Sequence, residues 1–304
     1  GYSAGEYIGI GSNSAQHTTA IGMNSGKYAT GSYNTFVGSN AGLGGTTGAP
    51  YSSGQYNVAI GYEALKAFTT AGKCVAIGYG AGKAHQTAAW SVYIGYEAGN
   101  DVTTGAQNVL IGGDAGAKIT TADRNIAIGG AAMQTGTGGE NVMIGDNAGW
   151  SATTASGSVF IGRLAGGSLT TGNDNIAIGR DALNGAATTG DNNIAIGVSA
   201  GDALTGAVGA VYIGKNAGGS ATNPGGWGGV IIGHEAGTNI VNAEIVAIGR
   251  KAGYQLGATG YGDFSTIVGT AAGETLGQSA GYVTLIGHNA GGDLTVASGS
   301  TLIG

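Results

Sequence analysis

A five-residue word, Asn-Val-Ala-Ile-Gly or a close variant, returns along the chain at a nearly fixed interval. Its closing glycine, the anchor of each repeat, falls at Gly11, Gly22, Gly38, Gly61, Gly78, Gly95, Gly112, Gly129, Gly145, Gly162, Gly179, Gly197, Gly214, Gly233, Gly249, Gly269, Gly287 and Gly304. Of the seventeen intervals between them, eight are 17 residues and five more are 16 or 18. Such a period marks a solenoid, whose repeats cannot bury an apolar face alone and stack to do so. The 23-residue interval before Gly61 holds Pro50 and the 19-residue interval before Gly233 holds Pro224. Proline has no N–H for a sheet ladder, so both belong in enlarged turns.

Each column of the repeat has a physical reading. Three residues before the anchor stands a β-branched residue, as at Val58, Val75, Val92, Val109, Ile126 and Val142, and one before it stands Ile or Val. Two β-branched residues two apart lie on one face of a strand, and that face is expected to fill the coil interior. The residue between them points the other way and is apolar as well: Ala59, Tyr93, Leu110, Met143, Phe160, Tyr212, Ile231, Leu285. A strand apolar on both faces is buried on both. Tyr93, Leu110, Met143, Phe160, Tyr212, Ile231 and Leu285 are therefore expected at a subunit interface.

Three residues after the anchor, alanine stands in all fifteen repeats from Ala41 to Ala290. Glycine follows it in twelve of the fifteen, with Leu65, Met133 and Leu183 as the departures, which predicts a tight corner with positive φ. Asparagine recurs four before the anchor (Asn34, Asn57, Asn108, Asn125, Asn141, Asn175, Asn193), replaced by Cys74, Ser91, Ser158 or Ser265. It suits either a turn bonded to its own backbone or a stacked amide ladder.

Composition narrows the function classes. The 304 residues include 66 glycines and 2 prolines, with no collagen triplet, and only 9% are charged against roughly 25% in an ordinary domain. A net charge of −6 argues against nucleic acid and anionic lipid surfaces. No apolar run approaches the ~20 residues of a membrane-spanning helix. The lone Cys74 excludes an internal disulfide framework. The repeat style starts at Gly1 without an initiating Met, so the chain is expected to be one continuous repeat domain, 1–304, cut from a longer fibre protein.

The words Asn125-Ile126-Ala127-Ile128-Gly129 and Asn193-Ile194-Ala195-Ile196-Gly197, each followed by x-x-Ala, resemble the YadA-like head repeat of trimeric autotransporter adhesins. Similar repeats occur in bacteriophage tail fibres. The resemblance covers essentially the whole chain, although the period here is longer than that family's. It implies a left-handed parallel β-roll in which three chains bury a shared apolar face, and hence a homotrimer.

Motifs that look like chemistry dissolve into the repeat. Gly-x-Ser-x-Gly occurs at Gly1–Gly5, Gly197–Gly201 and Gly277–Gly281, as a glycine-rich chain makes it, without the strand-to-helix turn of a nucleophile elbow. Gly209 to Lys215 misses a phosphate loop because Asn216 stands where Ser or Thr is needed. His17, His85, His234 and His288 lack metal-ligand spacing and are read as surface residues. Acidic turns such as Gly172-Asn173-Asp174-Asn175 and Asp191-Asn192-Asn193 could take calcium but lack a repeated Gly-Asp nonapeptide. No enzyme activity, metal or cofactor is expected.

Two surface columns are more suggestive. The slot after the anchor carries Tyr62, Tyr79 and Tyr96 on successive repeats, then Arg163, Arg180, Lys215 and Arg250, and the next slot is often acidic (Glu63, Glu97, Asp114, Asp181, Glu235). Tyr62, Tyr79 and Tyr96 form a candidate glycan or receptor strip, because aromatic faces suit sugar rings. A threonine column, Thr69, Thr103, Thr120, Thr153, Thr170, Thr205 and Thr222, reads as a turn or hydroxyl ladder, or as an ice-binding array. These features point to an all-β parallel β-solenoid of about 17-residue coils. The expected role is a structural fibre or adhesin segment on a virion or bacterial cell surface, extracellular and homotrimeric. The alternatives are a passive spacer whose receptor-binding tip lies elsewhere and an ice-binding solenoid.

Overall fold

Strands of three residues carry the repeat. The computed structural model describes residues 1–8, 16–45, 51–185, 189–220, 228–240, 244–255, 264–276, 282–292, 294 and 299–304. Gly11, Pro50, Thr222, Pro224 and the motif from Gly277 to Gly281 lie outside the described residues. The chain forms two units, 1–150 and 151–304. The first holds eight strands, from β1 (Thr19–Ile21) to β8 (Val142–Ile144); the second holds nine, from β9 (Val159–Ile161) to β17 (Thr301–Ile303). Within each unit, consecutive strands pair in parallel and without offset, so that Val75, Ala76 and Ile77 lie against Val92, Tyr93 and Ile94. The fold is an all-β parallel solenoid, one strand per coil.

The strand faces are reversed from the sequence expectation. The middle residue of each strand points into the coil, and the flanking β-branched pair lies outside it. Tyr93, Leu110, Met143, Phe160, Tyr212, Ile231 and Leu285 are all at most 2% exposed within their own chain, which leaves nothing of them for a neighbouring subunit. The flanking residues are half-buried, and Ile60, Ile161 and Ile286 reach 38–40% exposure. The reason is volume. A second apolar column, seven residues past the anchor, faces the middle residue across the coil: Phe68, Val102, Ile119, Leu169, Leu204, Ile240 and Leu276 are all buried. With the buried alanines three past the anchor, these two columns fill the tube, and no room remains for the flanking pair.

The fourth position past the anchor adjusts that volume. A Cβ on Gly99 would stand 2.6 Å from the Tyr93 ring, on Gly116 2.7 Å from Leu110, and on Gly166 2.6 Å from Phe160. Glycine here makes room for a bulky middle residue of its own coil or the next, as at Gly82, whose added Cβ would lie 2.5 Å from Tyr93. Leu65 and Leu183 replace glycine where the middle residue is alanine both in the same coil (Ala59, Ala177) and in the next (Ala76, Ala195). Large and small side chains thus alternate to keep a close-packed interior.

The coil corners use left-handed backbone, as the small residues predict. Asp114 (φ 57) and Gly116 (φ 58) make the corner after β6 (Val109–Ile111), and a second corner five residues before the anchor repeats φ near 58 at Tyr56, Lys73, Gln107 and Arg124. The asparagine column resolves to the stacked ladder. Asn57 N–H donates to Asn34 Oδ1 (2.8 Å), Asn125 N–H to Asn108 Oδ1 (2.9 Å) and Asn141 N–H to Asn125 Oδ1 (3.0 Å). Several of these amides also donate sideways to the adjoining turn, as Asn108 Nδ2 does to Ala122 O (2.8 Å). Most of the buried amide atoms of this column are satisfied along the stack in this way. Among the described residues Asn125 Nδ2 is the exception, and the ladder lapses where Ala210, Ile245 or Val283 takes the position.

Candidate functional site

With the interior apolar and the asparagines occupied by one another, the side chains free to meet a ligand stand on the corners of the coils. Tyr62, Tyr79 and Tyr96 form one ladder, because parallel in-register coils place equal positions directly above one another. Their ring centroids are 5.2 and 5.3 Å apart and nearly parallel, at 18° and 9°. Stacking covers the ring faces between neighbours, so the ladder offers mainly ring edges and hydroxyls along its side. The Glu97 carboxylate beside Tyr96 raises the pKa of that phenol.

A second aromatic ladder was hidden in the sequence because it mixes residue types. It occupies the left-handed corner five residues before the anchor: His17, Tyr33, Tyr56, Lys73 and Trp90. His17 stacks on Tyr33 (5.3 Å) and Tyr33 on Tyr56 (4.9 Å, 3°). Lys73 then interrupts the rings and sets its ammonium 4.0 Å from the Trp90 ring centroid, a cation–π contact. Counting back from each anchor glycine would have exposed this column. In the second unit the same position stacks Phe264 on Tyr282 (5.5 Å).

The charged slots pair locally. Glu63 accepts from Lys66 (2.6 Å) and Lys83 (2.8 Å), and both lysines hold its carboxyl below the usual range against the opposing effect of burial. Asp181 takes Arg180 at 2.6 Å and Arg163 at 3.8 Å. Among the described residues, no three His, Cys, Asp or Glu side chains gather into a metal-holding group. The threonine hydroxyls serve the coils: Thr69 donates to Gln86 O (3.0 Å), Thr103 to Thr120 O (3.1 Å) and Thr153 to Thr170 O (2.9 Å). Ser199 of the Gly197–Gly201 motif sits on a left-handed corner (φ 53), with another coil rather than a helix following it.

One histidine departs from the surface reading. His17, His234 and His288 are exposed, but His85 is fully buried because it occupies the interior column seven past the anchor. Its Nε2 lies 3.0 Å from Ala88 O and 3.6 Å from Cys74 Sγ, and its Nδ1 lies 3.1 Å from the Tyr93 hydroxyl. A neutral ring donating from Nε2 to the carbonyl and accepting at Nδ1 from Tyr93 satisfies every partner. Burial pushes the His85 pKa down to about 4, against a smaller upward pull from the Ala88 carbonyl, and raises that of the Cys74 thiol.

The fold is therefore expected to weaken in mild acid. Above about pH 6.5 the ring is neutral in both folded and unfolded chains. As the pH falls from there to about 4, the unfolded chain binds the proton and the folded chain does not, so stability drops by about 3 kcal/mol. Urea melts from pH 7.5 to 4 measure this loss. His85→Gln, which keeps an amide for the same partners, should flatten the profile, and an equally steep fall in that variant would remove His85 as its cause.

No family model matches the chain, and no curated protein or solved structure does either.

Proposed function

We propose that this chain is a structural fibre segment, a homotrimer on a virion or bacterial cell surface that gives reach and helps attachment. The observation that carries the reading is the outward strand face. Each coil sets two β-branched residues outside the tube, and no charged residue or proline falls in any strand. Eight strands at ~4.8 Å spacing and ~10 Å width make an apolar band of roughly 350 Å² on the first unit. That is already the size of the largest patch on a typical monomer, and the second unit adds another. A chain with 9% charged residues has little to keep such a band in water, and closed cyclic assembly would cover it. The resemblance of the repeat to trimeric adhesin heads and phage fibres supplies the number three and the extracellular setting.

Light scattering on the purified chain tests the assembly. The expected mass is three times the 29.3 kDa chain, stable on dilution to micromolar concentration. Val109→Lys together with Ile111→Lys, both on the outer face, should give a folded monomer. A parent chain that runs as a monomer would overturn the trimer.

A further inference from the structure

From the second aromatic ladder we infer a binding site for an acidic saccharide, a sugar ring bearing a carboxylate or sulfate, centred on Lys73 between Tyr56 and Trp90. The inference deepens the attachment role in the fibre reading and rests on it for biological sense, though not for its geometry.

The cleft is a built feature of the corner. It is a shallow groove open to solvent, of about 320 Å³, and is lined by Ser53, Gln55, Tyr56, Thr70, Lys73 and Trp90. That volume is at the small end of ligand sites and suits one or two sugar rings. The backbone fixes the three central side chains in register. Lys73 N–H donates to Gln55 O (2.9 Å) and Trp90 N–H to Gly72 O (3.2 Å), so the corners hang one on another. Tyr56, Lys73 and Trp90 each hold a left-handed backbone (φ 58–67) that throws the side chain outward, and Tyr56 and Trp90 are 52% and 59% exposed.

The interruption of the ladder makes the site. Tyr56 stacks one face on Tyr33, while the next position of the column holds a lysine rather than a ring. Two coil spacings, about 10 Å, separate the Tyr56 and Trp90 positions. The Lys73 ammonium leans to the Trp90 side, at 4.0 Å from that ring, so the Tyr56 face is left looking into the cleft. Aromatic faces bind the C–H side of a pyranose, and the hydroxyls and amide of Ser53, Thr70 and Gln55 suit its hydroxyl groups.

Charge selects the kind of sugar. Lys27, Lys66, Lys83 and Lys251 each hold a carboxylate, whereas Lys73, Lys118 and Lys215 make no ion pair among the described residues, and of these three Lys73 is the one set over an aromatic ring. A cation left without a carboxylate in a chain of net charge −6, set between two aromatic walls, is completed by an anionic group on the ligand. The same lysine would give a neutral sugar little.

The test is a titration of the full chain with hyaluronan and heparin oligosaccharides, with neutral chitin oligosaccharides alongside, read by tryptophan fluorescence and calorimetry. Binding of at least one acidic series at millimolar concentration or below is expected, with neutral chains at least tenfold weaker. Lys73→Gln and Tyr56→Ser should each weaken it tenfold or more, Lys73→Arg should retain it, and Tyr96→Ser on the other ladder should leave it unchanged. Circular dichroism of each variant separates loss of the site from loss of the fold. No binding by either acidic series, equal binding of neutral chains, or undiminished binding by folded Lys73→Gln would each overturn the site. So would a loss that follows Tyr96→Ser instead, which would move binding to the Tyr62–Tyr79–Tyr96 ladder. A trimer that binds no acidic saccharide sinks this inference and leaves the fibre standing; a monomer that binds one does the reverse.

Discussion

Replacing Gly112 by alanine will cost the fold about 4 kcal/mol or more, while the same change at the next residue, Gly113→Ala, will be nearly silent. Gly112 has φ +134, a region closed to side chains, and a Cβ there would stand 2.6 Å from the Gly129 carbonyl carbon and closer still to its oxygen. The obstacle is backbone of the next coil, which is itself an anchor glycine held by Gly129 N–H to Ile111 O (2.8 Å). It cannot yield without opening the ladder. Gly113 lies in open space, with nothing within 4 Å of an added Cβ. Alanine there removes freedom from the unfolded chain and should be neutral or stabilising by up to ~1 kcal/mol. Paired urea melts give both values. Equal effects at the two positions would mean that the anchors are not stacked glycine on glycine.

That stacking explains why the fold was so legible. An anchor glycine lies directly over the next anchor in its unit, so any other residue in the column is excluded and the period shows through the sequence. The strands and the buried alanine corner followed for the same reason, each column obeying one local steric rule, while the asparagine column could be read as a turn or a ladder and the structure decides for the ladder. The direction of the strand faces did not follow, because both faces are apolar and alternation was the only local signal. What decides it is volume summed across the coil. Val58 and Ile60 are as apolar as Phe160, yet only the middle column varies from alanine to tyrosine. A wall that repeats unchanged can be an outer surface; a column that varies in size needs partners that vary against it. Those partners are Phe68, Ile119 and Leu169 across the coil and the glycine-or-leucine choice at Leu65 and Gly99, and they lie too far along the chain for a strand pattern to reveal.

The candidate sites were legible in part, for a related reason. Tyr62, Tyr79 and Tyr96 are one residue type at one interval, and their ladder could be read directly. The corner that carries Tyr33, Tyr56, Lys73 and Trp90 mixes phenol, ammonium and indole, so no single letter marks it. His85 was misplaced because histidine was weighed by type, whereas its column, shared with Phe68 and Val102, is an interior one.

The reversal of the strand faces has a sharp consequence at two adjacent residues. Phe160→Asp should abolish folding of its unit, and Ile161→Asp should leave the isolated chain folded. Phe160 is fully buried, with the Gly166 backbone against its ring and Leu169 in the facing column. An aspartate there would lose the apolar contacts, about 3–5 kcal/mol for truncation of a buried Phe alone, and would bury a carboxylate with no cation to meet it. Together these exceed the several kcal/mol that hold a typical domain folded. Ile161 is 38% exposed on the outer face, where a carboxylate reaches water and the loss is about 1 kcal/mol. Circular dichroism and urea melts on the monomeric background of Val109→Lys with Ile111→Lys separate folding from assembly. If Ile161→Asp unfolded the chain and Phe160→Asp did not, the flanking residues would be the core after all. The outer band, and with it the case for a covering subunit on that face, would be lost.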